Sequence, residues 1–345
     1  MPDQLHATSV KETMRLRVLA VTVVASLAAG LSACSSGTQA TTSAPASGST
    51  TATAGAFPAT VSTKFGDVTV TAKPTRVVAL GWGDAETALA LRVQPVGASD
   101  WLNFGGEGVG PWAEGLYTTP PEIIGTLEPS FEKIAALKPD LILDVKGSGD
   151  QARYDRLKSI ATTIGVPQGG DSYLTTQDQQ MTMIATALGL KDQGAALLKE
   201  VSDAFAAAAT ANPNFQGKTM SAVTKTADGW GAYIEGSERV TFMQNLGFVQ
   251  NPKIAAMEPN ATGFSVSLSS ENLDVIEADV IVAFPIFIET SALTGDPAWK
   301  AVPAVKEGHA VVIDGDLASA YSLGTTLATK YAIDELVPML ADALS

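Results

Sequence analysis

One twelve-residue frame occurs twice in this chain, 139 positions apart. The first copy reads Glu132-Lys-Ile134-Ala-Ala-Leu137-Lys-Pro-Asp140-Leu141-Ile142-Leu143, and the second Glu271-Asn-Leu273-Asp-Val-Ile276-Glu-Ala-Asp279-Val280-Ile281-Val282. Each begins with glutamate, sets apolar residues at helical spacing, turns at an aspartate and runs into branched aliphatics suited to a buried strand. A helix feeding such a strand is half of an α/β unit. Two copies therefore predict two similar α/β lobes with a cleft between them, each lobe carrying a glutamate at a helix start.

The first 33 residues stand outside that plan. Lys11, Arg15 and Arg17 precede an apolar run over residues 18–31, which reads as a secretory signal and is too short to span a bilayer. Met14 is an alternative start. Cys34 is the only cysteine, so no internal disulfide forms. Leu31-Ser32-Ala33-Cys34 resembles the bacterial lipobox, which implies a lipidated Cys34 anchoring the chain to the outer face of the membrane. Residues 35–56 are almost entirely Ser, Thr, Ala and Gly, a composition that predicts a disordered tether.

The expected organisation is a signal peptide over 1–33, the tether over 34–56, an N-terminal α/β lobe over 57–174, a helical region over 175–213 and a C-terminal α/β lobe over 214–345. In the first lobe, strands are predicted near 67–71, 76–80, 94–98, 141–145 and 165–167, alternating with helices, as in a mostly parallel sheet. Two helices follow over 177–188 and 191–210, with Gly189 between them and Asn212-Pro213 ending the second. The second is read as a connecting helix between Rossmann-like lobes. The C-terminal lobe is expected to hold strands near 218–224, 279–284 and 310–314, a loop over 228–238, and one long closing helix over 323–344.

Removing the signal leaves 19 Lys and Arg against 34 Asp and Glu, a net charge near −15, with no basic run to neutralise phosphates. Nucleic acid is excluded as a partner on that ground. The only histidines are His6, in the signal, and His309, before a strand. A Ser–His–Asp triad, a cysteine nucleophile and a histidine-rich zinc site all lack parts. No phosphate-binding Gly-rich loop is present, and Gly81-Trp82-Gly83 lacks the third glycine of the dinucleotide fingerprint. A carboxylate pair of the glycosidase kind is a matter of spatial separation that sequence alone does not decide. No catalytic residue, metal ligand or cofactor is assigned, and the chain is read as a binding protein.

Aromatic residues populate the strand ends and loops instead. Trp82, Trp101, Phe104, Trp112 and Tyr117 belong to the first lobe, and Trp230, Tyr233, Phe287 and Tyr321 to the second. Each alone could simply pack a loop. As a set, beyond the carboxyl ends of strands, they point to a cleft for a large, partly apolar ligand. Arg239 either faces that cleft, as a contact for an anionic group, or pairs with Glu235 or Glu238 on the surface.

These features resemble the periplasmic-binding-protein family for iron–siderophores, haem and vitamin B12, over roughly residues 60–343. The resemblance rests on Arg76-Val-Val-Ala-Leu80 with Asp84-Ala-Glu86 and Pro95-Val-Gly97, and on Gly125-Thr-Leu-Glu-Pro-Ser-Phe131-Glu132 with Leu137-Lys-Pro-Asp140. Leu246-Gly-Phe248, Leu268-Ser-Ser-Glu271 and Trp299-Lys-Ala-Val-Pro-Ala-Val-Lys-Glu-Gly308 extend it into the second lobe. It implies two lobes on one rigid helix, and a monomer that delivers a ferric siderophore to an ABC permease and its ATPase. It also implies that Glu132 and Glu271 dock onto permease arginines. The same acids suit helix N-termini in any case. Iron would be held by the siderophore, and the few arginines (Arg239, with Arg92 and Arg153) favour a hydroxamate or mixed ligand over a catecholate. The alternative is haem or cobalamin, with Tyr233 or Tyr321 facing the iron of a haem.

Overall fold

A computed structural model describes residues 56–345 apart from Thr262. The signal, Cys34 and the tether up to residue 55 lie outside the described residues.

The first lobe opens with an antiparallel hairpin of β1 (Ala59–Thr63) and β2 (Gly66–Val70), not a lone strand. Alternation in β1 turns Ala59, Val61 and Thr63 inward. Five strands then build a wholly parallel sheet: β3 (Val77–Ala79), β4 (Gly97–Ala98), β5 (Glu122–Ile123), β6 (Leu141–Leu143) and β7 (Thr162–Ile164), in the order β5-β4-β3-β6-β7. Helices Asp84–Ala90, Phe131–Ala136 and Gln151–Lys158 connect them, the last two capped by Ser130 and Asp150. At Gly97 an added Cβ would lie 2.5 Å from Leu137 Cδ1 and 2.9 Å from Ile124 Cδ1, so these side chains close over β4 in the space a larger residue would occupy.

Helix Gln177–Ala187 starts with a reciprocal cap between Thr176 and Gln179. Gly189, at φ 70°, ends it, and the 21-residue helix Lys191–Ala211 follows. This helix serves both cores. Leu197 and Leu198 pack on the first lobe, whereas Val201 and Phe205 belong to the second.

The second sheet is mixed, with three parallel pairings and two antiparallel ones that the sequence did not announce. Its strands are β8 (Thr219–Thr226), β9 (Gly229–Tyr233), β10 (Val249–Gln250), β11 (Ser265–Leu268), β12 (Val280–Pro285) and β13 (Ala310–Val312). The order is β11-β9-β8-β12-β13, with β10 beside the start of β8. Strands β8, β12 and β13 run parallel, but β9 and β11 add antiparallel pairings. The segment expected as a loop over 228–238 turns at Gly229, φ 148°, and returns as β9. The aliphatic run of β12 is buried, as a central parallel strand requires.

The closing helix expected over 323–344 is present as Thr326–Ala343, and a further helix, Gly315–Leu323, precedes it. Gly324 takes a left-handed φ of 68° and Thr325 caps the closing helix by accepting from the Ala328 amide, so a glycine stop and a threonine start separate the two. This junction ties the lobes a second time. The buried Glu86 carboxylate of the first lobe accepts from Thr325 Oγ1 at 2.7 Å, Trp112 Nε1 at 2.7 Å and the Gly110 amide at 3.2 Å. Gln177 Nε2 reaches the Gly324 carbonyl and Thr329 Oγ1. The connecting helix is therefore not the sole link between the lobes.

Candidate functional site

Parallel sheets leave a crevice beyond the carboxyl ends of their strands. Here both lobes contribute such ends to one groove of about 340 Å³. Trp82 follows β3, Trp101 follows β4, Lys146 follows β6 and Tyr173 follows β7. From the second lobe come Tyr233 at the end of β9, Ile286 just past β12, Phe264, and the start of helix Glu238–Asn245 with Ser237, Glu238 and Arg239.

The first-lobe wall is an aromatic cluster of tilted and edge-on rings. Trp82 and Trp101 lie with ring centres 5.6 Å apart, and Tyr173 meets Trp101 edge-on at 5.2 Å. Trp101 is oriented by its indole N–H, which donates to the Leu80 carbonyl at 2.9 Å. Opposite, Tyr233 lies between Phe264 and Phe284, and its ring carries the Arg239 guanidinium at 4.5 Å from the centroid. The Arg239 Nε is buried with no hydrogen-bond partner. Lys146 Nζ crosses to Glu238 Oε1 at 3.1 Å, an ion pair between the lobes along the groove. The groove is thus apolar and aromatic, with one ion pair and one free guanidinium.

Beneath it lie further buried charges. Asp144 receives Arg153 through both carboxylate oxygens, at 2.8 and 2.9 Å, and the same guanidinium donates to the Thr126 and Leu127 carbonyls. Asp84 accepts from the Gly81 and Val145 amides and from Gln180 Nε2, and burial nevertheless pushes its pKa up to about 6. Burial likewise raises Glu86, opposed by its bonds from Thr325 and Trp112.

Of the nine aromatic residues and Arg239 expected in the cleft, Trp82, Trp101, Tyr233 and Arg239 meet in this groove. The other six stand elsewhere, Tyr117 as a buried residue outside the groove lining. Trp230 is a core residue, stacked on Trp299 at 5.6 Å with its N–H on Asp296, because β9 alternation turns it to the opposite sheet face. Trp112 is spent on the lobe junction, bonded to Glu86 and packed against Tyr331. Phe104 meets Trp112 edge-on. Tyr321 is buried, and its hydroxyl donates to the Arg239 carbonyl at 2.8 Å, so it supports the cleft arginine from behind. Phe287 is 95 % exposed at a left-handed φ of 56°, next to Ile286 but outside the groove lining. Arg153, expected as a further cleft cation, is consumed by Asp144.

Lys146, Tyr173, Phe264 and Ile286 escaped the sequence reading. Lys146, Tyr173 and Ile286 sit just past strands or in the loop after one, which is the signal that could have found them. Among the described residues no group of three or more His, Cys, Asp or Glu is placed to hold a metal ion. Glu132 and Glu271 are both exposed, in the first turns of helix Phe131–Ala136 and of the 3-10 helix Ser270–Ile276.

This architecture, two α/β lobes on a bridging helix with a groove at their strand ends, defines a solute-binding protein. A family model for periplasmic binding proteins matches residues 77–317, and the chain belongs to that family. Among similar proteins is the probable siderophore-binding lipoprotein YfiY of Bacillus subtilis, 26 % identical over 281 residues, covering 77 % of this chain and 82 % of the relative. A crystal structure of a periplasmic solute binding protein from Mycobacterium smegmatis superposes with a TM-score of 0.73 at 28 % identity, covering 83 % of this chain and 99 % of that one. PiaA of Streptococcus pneumoniae in complex with ferrichrome gives 0.71 at 26 % identity, covering 83 % and 98 %.

Proposed function

We propose that this protein captures a ferric siderophore outside the cytoplasm and delivers it to an ABC importer, with Cys34 as its lipid anchor. The observation that carries the reading is the groove itself: Trp82, Trp101 and Tyr173 face Tyr233, Phe264 and Arg239 across the lobes. A ferric hydroxamate presents an apolar rim around a compact polar iron centre, which suits aromatic walls with a single free guanidinium. The ligand-bound PiaA relative and the siderophore-binding lipoprotein relative support the same class. Iron is cargo here, held by the siderophore oxygens. Glu132 and Glu271, one exposed acid on each lobe, would engage a basic permease surface and set register and encounter rate more than affinity.

Titration of intrinsic tryptophan fluorescence tests this reading, because Trp82 and Trp101 line the groove. Ferrichrome, the ferric complex of desferrioxamine B, ferric dicitrate, haemin and cobalamin form the panel. Saturable quenching by a ferric siderophore and not by haemin or cobalamin is expected. Quenching by haemin or cobalamin alone would replace the reading with the other one.

A further inference from the structure

Three charged side chains line the groove: Lys146, Glu238 and Arg239. Two of them cancel. Lys146 and Glu238 form their ion pair with side chains only 4 % and 18 % exposed, so solvent screens it little. Arg239 makes no ion pair or side-chain hydrogen bond among the described residues and rests on Tyr233. The adjacent Arg153 is closed off by Asp144 and two carbonyls. The site therefore offers a ligand one uncompensated positive charge and, beside it, a fixed carboxylate.

Resting on the ferric-siderophore reading above, we propose that Glu238 is a specificity-determining residue that, by neutralising Lys146 across the lobes, restricts the groove to ferric complexes of low net charge. A multiply anionic complex must shed water against the Glu238 carboxylate with only one cation to offset it, whereas a neutral trihydroxamate meets no such cost. The backbone is built to keep Glu238 there. Gly324, at φ 68°, faces its side chain, and a Cβ at that position would lie 2.9 Å from Glu238 Cγ and 3.0 Å from its Oε2. Among the described residues the glycine that breaks the C-terminal helices thus also makes room for the acid that crosses to the first lobe.

Fluorescence titrations at fixed ionic strength, with neutral ferrichrome and multiply anionic ferric dicitrate as probes, read the selectivity directly. The wild-type protein should favour ferrichrome. Glu238→Gln should move the ratio of the two dissociation constants at least about tenfold toward ferric dicitrate. Lys146→Met should move it the other way, and the double variant, which restores the original net charge, should return it to within about threefold of wild type. If Glu238→Gln fails to fold around an uncompensated lysine, Lys146→Met and the double variant still decide the question. Wild-type preference for ferric dicitrate, or ratios unmoved by these charges, overturns the role of Glu238 while leaving ferric-siderophore binding intact. No quenching by any ferric complex overturns both.

Discussion

Asp140 and Asp279, the aspartates of the repeated frame, perform the same task in the two lobes. Asp140 accepts from the Thr75 amide and hydroxyl at 2.8 and 2.7 Å and from the Arg76 amide at 2.9 Å. Asp279 accepts from the Thr219 amide and hydroxyl at 2.7 and 2.6 Å, with Lys218 Nζ at 3.2 Å. Immediately afterwards β6 pairs with β3 at Leu141↔Val77, and β12 pairs with β8 at Val280↔Met220. Each carboxylate thus pins the register of a parallel pair inside its sheet. The repetition has a mechanical cause, since a parallel pair lacks a hairpin turn to set its register.

Replacing either aspartate by alanine should cost about 1–3 kcal/mol in urea unfolding, because a strand-start amide and a threonine hydroxyl lose a charged acceptor. The Asp279 carboxyl is held below its ordinary 3.8, first by the Thr219 hydroxyl and then by the Thr219 amide. For Asp140 burial pulls upward, but the Thr75 and Arg76 bonds prevail and the carboxyl is also lowered. A depressed acid contributes fully above its unfolded value and loses that contribution as pH falls through the folded one. The cost of Asp279→Ala should therefore shrink between pH 5 and pH 2.

Asp84 should show the opposite sign. Its carboxyl rises from 3.8 to about 6 through burial, so the folded state holds a proton that the unfolded state has released. Stability then falls as pH rises from about 4 to about 6, by up to about 3 kcal/mol. In urea denaturation across that window, Asp84→Asn should remove this slope whatever its constant offset from wild type.

Trp101 and Trp230 should separate binding from stability. Trp230→Ala empties the core site against Trp299 and should cost about 3–5 kcal/mol. Trp101→Ala should cost less in unfolding, because its ring is only partly buried, yet weaken ferric-siderophore affinity about tenfold or more. Equal effects of the two on affinity would count against the groove assignment.

Glu132→Ala and Glu271→Ala should leave ligand titrations unchanged while reducing iron–siderophore uptake by whole cells, and the double variant should reduce it most. Both side chains are exposed, so their folding cost is expected to stay within about 0.5 kcal/mol. Unaltered uptake would leave them as helix-terminal acids.

Much of this fold was legible because strand and helix periodicity acts locally. The runs at Leu141–Leu143 and Val280–Pro285 announce buried parallel strands, and Gly189 and Asn212 mark both ends of the bridging helix. What escaped depended on contacts distant in sequence. The antiparallel return of β9 turns on Gly229, and the second tie between the lobes runs through Thr325, whose hydroxyl is engaged by Glu86 of the other lobe. The site was half legible for the same reason. Aromatic loop residues mark a cleft as a class, but Trp112 and Trp230 look like Trp82 and Trp101 until Glu86 and Trp299 are placed beside them.

The most direct measurement is an iron anomalous-difference map from crystals grown with ferrichrome. A single strong peak is expected in the groove bounded by Trp82, Trp101, Tyr233 and Arg239. A peak in the adjoining concavity lined by Phe205, Phe242 and Tyr321, or no iron despite saturating ligand, would contradict the groove assignment.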